Sequence, residues 1–455
     1  MKCPSCGAEN PGGSKFCETC GSPLANGIAA AHPQKRWKKV LVAVAAVVAV
    51  AVVGVVAGGR LGLMQTEQSS GGATLVADSQ GSSYGSYVSP SLWSGNDAAP
   101  YVAQDGTECG NTPSNYANGG YSVSDPDYDY FYSEKQGGLC RAKKGSSEVD
   151  VIVPASSFGG TKTMQVNQLN KDGDTLYFVI WTSEGYAICS AKTDGSNFSK
   201  LYSVTGYDTS TGADHLIRGF SLYDHALYFI TESMPGSSGS AVNVYDVYTM
   251  NEDGSGQQKH SSFQLAGAAV PFLTKDKVYC IYDNPENDSK SSGRSSVLSQ
   301  SLDGSGQQTI YTCTLAIING AIIQDGSIYV MESGLANSAS SDYGYQLVRM
   351  DASGGSQSVL LTGSVSGRMY VELAGISNGN AYVGEYGDGV LDSLKEVPLA
   401  GGDSSAVDVN FAGIGAKLMN ACDCLLMYGM DTAGSYGARV ARIGLDGTVY
   451  RQLVG

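Results

Sequence analysis

A motif of three residues, usually with an aromatic residue at its centre, recurs along most of the chain. Its seven copies are Tyr130-Phe131-Tyr132, Leu176-Tyr177-Phe178, Leu227-Tyr228-Phe229, Val278-Tyr279-Cys280, Ile328-Tyr329-Val330, Ala381-Tyr382-Val383 and the degenerate Leu425-Leu426-Met427. Most copies follow a turn such as Asp325-Gly326 or Asn378-Gly379, in which glycine supplies the positive φ that a tight hairpin requires. The centres lie 44 to 53 residues apart, so each copy predicts the opening hairpin of one repeating unit.

A second apolar element follows each motif and ends in another turn. Four of these turns are Thr193-Asp194-Gly195-Ser196, Glu252-Asp253-Gly254-Ser255, Leu302-Asp303-Gly304-Ser305 and Leu445-Asp446-Gly447-Thr448. A short strand comes after the turn, which makes four strands in about 50 residues, the period of propeller blades. The sequence therefore predicts a mainly β fold with a seven-bladed β-propeller at residues 116–455.

Composition and charge exclude several classes of protein. With 60 Gly and only 16% charged residues, the chain is unlike a coiled coil or a helical bundle. Seven of the 28 Lys and Arg residues precede residue 61, but only two of the 43 Asp and Glu residues do. The remainder is strongly acidic, and we expect no nucleic-acid partner, because affinity for phosphates depends on cationic side chains.

Four cysteines occur in the first 20 residues with metal-ligand spacing. Cys3, Cys6, Cys17 and Cys20 form two C-x2-C pairs, each followed by glycine. Four thiolates close a tetrahedral site, so residues 1–24 predict a zinc ribbon with a structural zinc ion. Rubredoxin-like iron has the same ligands, and a disulfide pair would require an oxidising compartment.

An uninterrupted apolar run occupies residues 40–58. At about 1.5 Å per residue it is long enough to cross a bilayer as a transmembrane helix. Four basic residues crowd the linker at 25–39, whereas Arg60 stands alone beyond the run. The positive-inside rule then places the ribbon in the cytoplasm and the propeller outside the cell membrane. The Gly/Ser-rich composition of residues 59–115 predicts a flexible stalk.

Two parts of the sequence resemble known families. The stretch Cys3-Pro4-Ser5-Cys6-Gly7 with Cys17-Glu18-Thr19-Cys20-Gly21 is similar to the zinc ribbon that opens many bacterial membrane proteins. A Leu-Tyr-Phe strand followed by a strand ending in Asp-Gly-Ser resembles the YWTD-type propeller repeats of low-density-lipoprotein-receptor relatives. It is also similar to a bacterial family of receptor-related propeller domains of unknown function, which are often attached to a zinc ribbon and a membrane helix. The full Tyr-Trp-Thr-Asp string is absent, so the resemblance implies no particular ligand.

The connections between the second and third strands predict a binding face. Ser233–Asn243, Asp283–Arg294, Glu332–Tyr345, Glu385–Asp392 and Gly429–Gly437 read as long polar loops. We expect their acidic and aromatic residues to provide a negative field, hard oxygen ligands for calcium, or rings that stack on sugars or peptides. These candidates are Asp283, Glu286, Asp288, Glu332, Asp342, Tyr343, Tyr345, Glu385, Asp388 and Asp392. No ligand spacing recurs among them, which favours solvated loops.

No motif in the sequence predicts catalysis. Of the four histidines, His32 precedes the apolar run, His225 lies in a predicted turn, and His215 and His260 have no motif context. Seven cysteines follow the apolar run, an odd number, and we interpret most of them as small buried residues, with Cys109 to Cys140 as one candidate bridge.

We therefore expect a non-enzymatic binding or scaffolding module at the cell envelope. Its partner would be an envelope protein, peptide or glycan, and a cytoplasmic protein could contact the ribbon. An envelope-acting lyase or hydrolase and a transmembrane sensor are the alternative functions.

Overall fold

The computed structural model describes Glu9 and most of residues 120–454. The exceptions in that range are residues 161–162, 209–212, 235–241, 266–268, 284–292, 325, 336–341, 367–368, 378, 388–389, 408, 410–413, 422–423, 431–436 and 445–449. Within the described part of the chain, no helix is both long and apolar enough to span a membrane. The predicted transmembrane segment at 40–58, the stalk and the four ribbon cysteines lie outside the described residues.

The described residues from 122 to 454 form seven antiparallel sheets, which we call blades 1 to 7 in chain order. Blade 1 contains β1 (Ser122–Ser124), β2 (Tyr128–Ser133), β3 (Gly138–Lys143) and β4 (Val149–Pro154). Blade 2 contains β5 (Thr163–Asp172), β6 (Thr175–Thr182), β7 (Gly185–Lys192) and β8 (Ser199–Thr205). Blade 3 contains β9 (Tyr207–Asp208), β10 (Ala213–Tyr223), β11 (Ala226–Met234), β12 (Asn243–Asn251) and β13 (Gln258–Leu265). A short 3₁₀ helix at Ala155–Phe158 follows β4.

Blades 4 to 7 repeat the four-stranded pattern. Blade 4 contains β14 (Ala269–Leu273), β15 (Lys277–Asp283), β16 (Ser295–Ser301) and β17 (Gln308–Thr312), and blade 5 contains β18 (Ile317–Gln324), β19 (Ser327–Leu335), β20 (Tyr343–Asp351) and β21 (Ser358–Val365). Blade 6 contains β22 (Met369–Ser377), β23 (Asn380–Gly387), β24 (Val390–Pro398) and β25 (Ser405–Val407). Blade 7 contains β26 (Ile414–Ala421), β27 (Cys424–Met430), β28 (Arg439–Gly444) and β29 (Tyr450–Val454). Each strand pairs with the next one along the chain within its blade. Among the described strands, only those of blade 3 number five, because the short β9 pairs with β10.

The blades close into a ring. Each blade contacts the following one: β1 meets β5, β5 meets β10, β10 meets β14, β15 and β16 meet β18, β18 meets β22, and β22 meets β26. Finally, β26 of blade 7 contacts β1 of blade 1. This arrangement is a seven-bladed β-propeller, as the seven copies of the motif predicted. Each blade is one continuous segment of the described chain, so side chains rather than an exchanged strand join blade 7 to blade 1. Ser133 Oγ donates to the carbonyl oxygen of Gly437 at 2.7 Å, and the rings of Tyr121 and Tyr428 stack with centroids 4.8 Å apart.

The apolar core is divided among the boundaries between blades. Seven clusters of buried side chains each combine residues of two neighbouring blades. In β6, Tyr177 and Val179 face blade 3, whereas Phe178 and Ile180 face blade 1. Because successive side chains of a strand point to opposite faces, a strand buried on both faces must be apolar at consecutive positions. This geometry explains why the repeating motif is a continuous triplet.

The register of the strands corrects the alignment of the first repeat. The central residue of the motif faces Arg349 in blade 5 and Arg442 in blade 7, and the residue that faces the equivalent Arg141 of blade 1 is Tyr130. Phe131, which the sequence placed at the centre, instead packs against blade 7. Three consecutive aromatic residues, Tyr130 to Tyr132, made the two alignments equally good in sequence.

The Asp-Gly-Ser turns hold adjacent blades together. In blade 2, Asp194 Oδ1 accepts a hydrogen bond from the amide of Ser196 at 2.9 Å, and Gly195 has φ of 86°. A Cβ at Gly195 would lie 1.9 Å from the carbonyl oxygen of Ile152 in blade 1. Equivalent glycines meet the outer strand of the preceding blade in blades 3, 4 and 5, at Gly254, Gly304 and Gly354. The motif therefore has a packing role.

Candidate functional site

The ends of the strands define two faces of the ring. In a four-stranded meander, the connections from strand one to two and from strand three to four leave one end of the sheet, which we call the turn face. The connection from strand two to three leaves the other end, which we call the loop face. Those predicted binding residues that the structure describes lie towards the loop face, where the described strands run further than the sequence indicated. In blade 6, Gly387 pairs with Val390, so Glu385 and Asp392 lie in strands and the predicted long loop there is wrong.

Glu332 is a buried carboxylate that accepts hydrogen bonds from several parts of the propeller. Its side chain is fully buried, at 0% exposure, near the end of β19. It accepts hydrogen bonds from Tyr311 Oη at 3.0 Å, Thr314 Oγ1 at 2.6 Å and the amide of Thr314 at 3.0 Å, and from Gln346. These donors come from β17, from the connection between blades 4 and 5, and from β20. The carboxylate thus fixes that connection rather than facing a ligand.

Tyr345 is also buried, at 2% exposure, so the prediction of an exposed ring was wrong. Its hydroxyl contacts Glu385 and accepts a hydrogen bond from Lys395 Nζ at 2.6 Å, and Lys395 lies 2.8 Å from Glu385. Lys395 and Ser393 together hold the pKa of Glu385 below its ordinary value despite the burial that opposes them. The side chains of Tyr345, Glu385 and Lys395 join blade 5 to blade 6.

The other predicted residues that the structure describes do not assemble into one site. Asp283 accepts a hydrogen bond from Ser295 on the neighbouring strand. Asp342 and Asp392 are exposed, and Tyr343 is half-buried. Glu286, Asp288 and Asp388 lie outside the described residues. A calcium site on this face and a role of these residues in binding stay predictions.

The loop face carries an unpredicted polar cluster where blade 2 meets blade 3. Strand β10 has a bulge between Ile217 and Gly219, and the bulged residue is Arg218. Its side chain, only 5% exposed, donates through Nε to Oε2 of Glu232 on β11. Glu232 Oε1 also accepts hydrogen bonds from Asn243 Nδ2 at 2.8 Å and Tyr245 Oη at 2.6 Å. Burial opposes the charge of Arg218, but Glu232 outweighs it and raises the pKa of Arg218.

Three buried polar atoms around Arg218 have no hydrogen-bond partner among the described residues. They are Arg218 Nη2, Tyr186 Oη and Gln168 Oε1. Gln168 lies in the bulge of β5 and donates through Nε2 to the carbonyl oxygen of Arg218 at 2.9 Å. Tyr186, whose pKa burial raises, interacts electrostatically with Arg218. Buried polar atoms are nearly always paired, so this junction has an unused hydrogen-bonding capacity.

An aromatic pair borders the same junction. The rings of Trp181 and Tyr186 are cross-strand neighbours, with centroids 5.5 Å apart and planes 5° from parallel. The connection between their strands is a turn of two residues, Ser183 and Glu184, so blade 2 has no long loop on the loop face. Trp181 is half-buried. Sequence reasoning missed this site because Arg218 is a single arginine in a bulge, with no motif around it.

A histidine and a serine also meet at this end of blade 3. His215 Nδ1 lies 2.9 Å from Ser233 Oγ, and the two residues are opposite each other on β10 and β11. A nucleophilic serine needs a base that is itself oriented by a third group. Among the described residues, no hydrogen bond holds the other ring nitrogen of His215. The pair is therefore a cross-strand contact in this geometry.

The four described cysteines are free and buried. Cys140, Cys189, Cys280 and Cys313 all lie in the clusters between blades or at their edges, which confirms that they act as small core residues. Cys140 is a free thiol that packs against blade 7 with 0% exposure, so the candidate bridge to Cys109 is not formed. Cys109, Cys422 and the side chain of Cys424 lie outside the described part.

The chain combines a seven-bladed propeller with an N-terminal zinc ribbon. A family model described as a zinc-ribbon domain matches residues 2–24. The donor set fits zinc, because two C-x2-C pairs supply four thiolates. The comparison with curated proteins found no match to this sequence.

Comparison with solved structures shows the propeller fold. Puromycin hydrolase has a TM-score of 0.50 and 13% identity, over 79% of this chain and 57% of the hydrolase. This chain therefore spans little more than half the length of that enzyme. The uncharacterized protein lmo1340 from Listeria monocytogenes EGD-e gives a TM-score of 0.44 and 11% identity, over 76% of this chain and 95% of that one. A chain of a nidogen/laminin complex gives 0.39 and 8%, over 62% and 94%. At these identities the likeness is one of fold alone.

Proposed function

We propose that this chain is a single-pass membrane protein whose extracytoplasmic propeller binds a neutral glycan of the cell envelope at the junction of blades 2 and 3. The observation that carries the proposal is the set of unpaired buried atoms on Arg218, Tyr186 and Gln168 beside the Trp181 ring. Repeat propellers commonly place ligands on one end of the ring, where loops and strand ends converge.

The charges favour a neutral ligand. Glu232 already compensates the charge of Arg218, and burial raises the pKa of nearby Asp214. An anionic group would add a third negative charge to a strongly acidic domain. A sugar hydroxyl both donates and accepts, so it matches the free N–H of Arg218, the hydroxyl of Tyr186 and the amide oxygen of Gln168.

The aromatic pair supports the same class of ligand. The flat face of Trp181 offers a surface for the apolar face of a sugar ring, while the polar atoms beside it fix orientation. The unpaired atoms are closed off from solvent, so a ligand reaches them only when the side chains that cover them move. Each buried hydrogen bond made in this way offsets roughly 1–3 kcal/mol of unmet desolvation.

The N-terminal part supports membrane attachment. The apolar run at 40–58 and the basic residues before it predict an anchor with its N-terminus in the cytoplasm. Cys3, Cys6, Cys17 and Cys20 would hold a structural zinc ion in the ribbon, and the ribbon would contact a cytoplasmic protein. The receptor-related, YWTD-like repeat pattern agrees with a binding role. The Ser233 and His215 pair is the only described feature that favours the alternative, an envelope-acting hydrolase.

Binding of neutral oligosaccharides by the full chain in detergent tests the proposal. Titration calorimetry with uncharged gluco-oligosaccharides and N-acetylglucosamine oligomers, together with uncharged peptides, would identify the class. Tyr186→Phe keeps the stacked ring but removes the unpaired hydroxyl, so we expect about tenfold weaker sugar binding with an unchanged melting temperature. Tyr279→Phe, at the boundary of blades 4 and 5, is the matched control and should bind normally. Binding of peptides but no sugar, or sugar binding that Tyr186→Phe leaves intact, would refute the proposal.

A further inference from the structure

The turn face carries a second cluster, distinct from the proposed glycan site, that combines two blades. Asp172 is the last residue of β5 in blade 2. His225 lies in the turn between β10 and β11, and Glu252 follows β12, both in blade 3. His225 Nδ1 is 2.6 Å from Asp172 Oδ2 and 3.8 Å from Glu252 Oε1. One ligand atom from each of the three residues lies within 4.8 Å of the others, and no other group of this kind occurs among the described residues.

The backbone holds His225 in an unfavourable conformation. Asp224 and His225 have φ of 47° and 59°, in the left-handed region. The residues equivalent to His225 in blades 5 and 6 are glycines, Gly326 and Gly379, with φ of 69° and 75°. Left-handed backbone is costly for a residue with a Cβ. The chain nevertheless keeps an imidazole here, which the turn directs across the boundary towards Asp172.

An unpaired atom points into the cluster. Glu252 Oε1 is buried, has no hydrogen-bond partner among the described residues, and is the carboxylate atom nearest to His225. A buried carboxylate oxygen without a donor is unfavourable. A cation between Asp172, His225 and Glu252 would satisfy it.

The neighbouring lysines pair with carboxylates outside the cluster. Lys275 pairs with Asp224, and Lys192 lies 2.6 Å from Asp174. Asp172 and Glu252 meet at the imidazole of His225.

We propose that Asp172, His225 and Glu252 form a zinc-binding site that bridges blades 2 and 3. One imidazole nitrogen and two carboxylate oxygens are a donor set typical of Zn²⁺, with the fourth position open to water. Ligand atoms about 2.1 Å from a tetrahedral ion lie about 3.4 Å apart. The separations of 2.6 and 3.8 Å bracket this value, and the His225 side chain, 79% exposed, is free to adjust.

Metal titration of the full chain tests this site. The ribbon, with its four thiolates, should bind its zinc tightly, and a second zinc should bind more weakly, giving about two ions per chain. Cobalt separates the two sites, because thiolate ligands give intense charge-transfer absorption that nitrogen and oxygen ligands lack. We expect the second ion to show only the weak spectrum, and zinc in excess of the ribbon to raise the melting temperature of the propeller.

Two variants and a control decide the outcome. His225→Gly restores the glycine of the repeat, so it should fold at least as well as wild type while losing at least tenfold in affinity for the second ion. Glu252→Gln should lose affinity with His225 intact. His260→Asn, which removes a histidine bonded to Thr249, should change nothing. Absence of a second ion, or a second ion unaffected by His225→Gly and Glu252→Gln, would overturn the proposal.

Discussion

Arg442 in blade 7 donates a hydrogen bond through Nε to Oδ2 of Asp129 in blade 1, and both side chains are fully buried. The same guanidinium reaches the carbonyl oxygens of Ala142 at 3.0 Å and Ser146 at 3.1 Å. Burial opposes the charge of Asp129, but Arg442 and Lys144 outweigh it and hold its pKa below the ordinary value. This buried ion pair joins blade 7 to blade 1 at the point where the ring closes.

Asp129→Asn should destabilise the propeller by about 3–5 kcal/mol, because it leaves a buried guanidinium without its countercharge. Asp150→Asn is the control, since Asp150 pairs with Arg141, which occupies the same repeat position, but its side chain is 65% exposed. That change should cost less than about 1 kcal/mol. Urea unfolding monitored by tyrosine fluorescence measures both. Equal losses of unfolding free energy in the two variants would show that burial does not determine how much the ion pair contributes to stability.

Gly195→Ala should be far more damaging than Gly326→Ala. Both glycines have positive φ, so each substitution carries the same backbone cost of about 1 kcal/mol. A Cβ at Gly195 would also clash with the backbone of Ile152, whereas nothing lies within 4 Å of one at Gly326. The difference in unfolding free energy therefore isolates the contact between blades 1 and 2. Similar losses in the two variants would argue against that contact.

Glu332→Gln should lower stability by roughly 2 kcal/mol, because an amide nitrogen would face donors such as the Thr314 amide and hydroxyl. Asp342→Asn, at an exposed position nearby, should change stability by less than about 0.5 kcal/mol. Thermal unfolding of the two variants provides the comparison. A neutral Glu332→Gln variant would mean that this carboxylate does not fix the connection between blades 4 and 5.

The stability difference between wild type and His225→Gly should depend on pH when metal is absent. The hydrogen bond and charge of Asp172, with smaller contributions from Glu252 and Asp224, raise the pKa of His225. A raised histidine pKa stabilises the fold below the ordinary value of 6.5, and this stabilisation is lost as pH rises through the folded-state pKa. Urea midpoints in chelator between about pH 5 and pH 9 would show the trend. A constant difference would contradict the contact between His225 and Asp172.

The buried thiols should resist alkylation until the propeller unfolds. Burial raises the pKa of Cys140 and Cys189 to about 12 and that of Cys313 to about 11, so almost no thiolate forms at neutral pH. Iodoacetamide labelling with peptide mass spectrometry, in buffer and in guanidinium, measures each site separately. Rapid labelling of Cys140 or Cys189 in buffer would indicate that the boundary around it opens.

The fold could be predicted from the sequence because every blade has the same packing and turn requirements, so the same residue patterns recur. A strand that is buried on both faces must be apolar at consecutive positions, and each Asp-Gly-Ser turn has a local reason for its residues, so both patterns recur about every 50 residues. Even the weak Leu425-Leu426-Met427 copy marked a blade, because Leu426 fills the same interface position as Tyr329 or Tyr382.

The candidate sites were not predictable in the same way. Glu332 and Glu385 read as loop carboxylates, since nothing in the sequence shows which donors the neighbouring strands will bring to them. Arg218 and Tyr186 lie 32 residues apart in two blades, and the Asp172, His225 and Glu252 cluster likewise spans two repeats. One signal was available for His225, which occupies the position where the repeats of blades 5 and 6 have glycine.

The division of the core among blade boundaries has a consequence for synthesis. A blade that has just left the ribosome has an uncovered apolar face until the next blade is made, and the face of blade 1 that contains Phe131 and Cys140 stays uncovered until blade 7 arrives. At about 5–20 residues per second, translation from blade 1 to blade 7 takes on the order of 15–60 s. Throughout that time the nascent chain depends on chaperones or on its own solubility, and the synthesis of blade 7 determines when this face of blade 1 is covered.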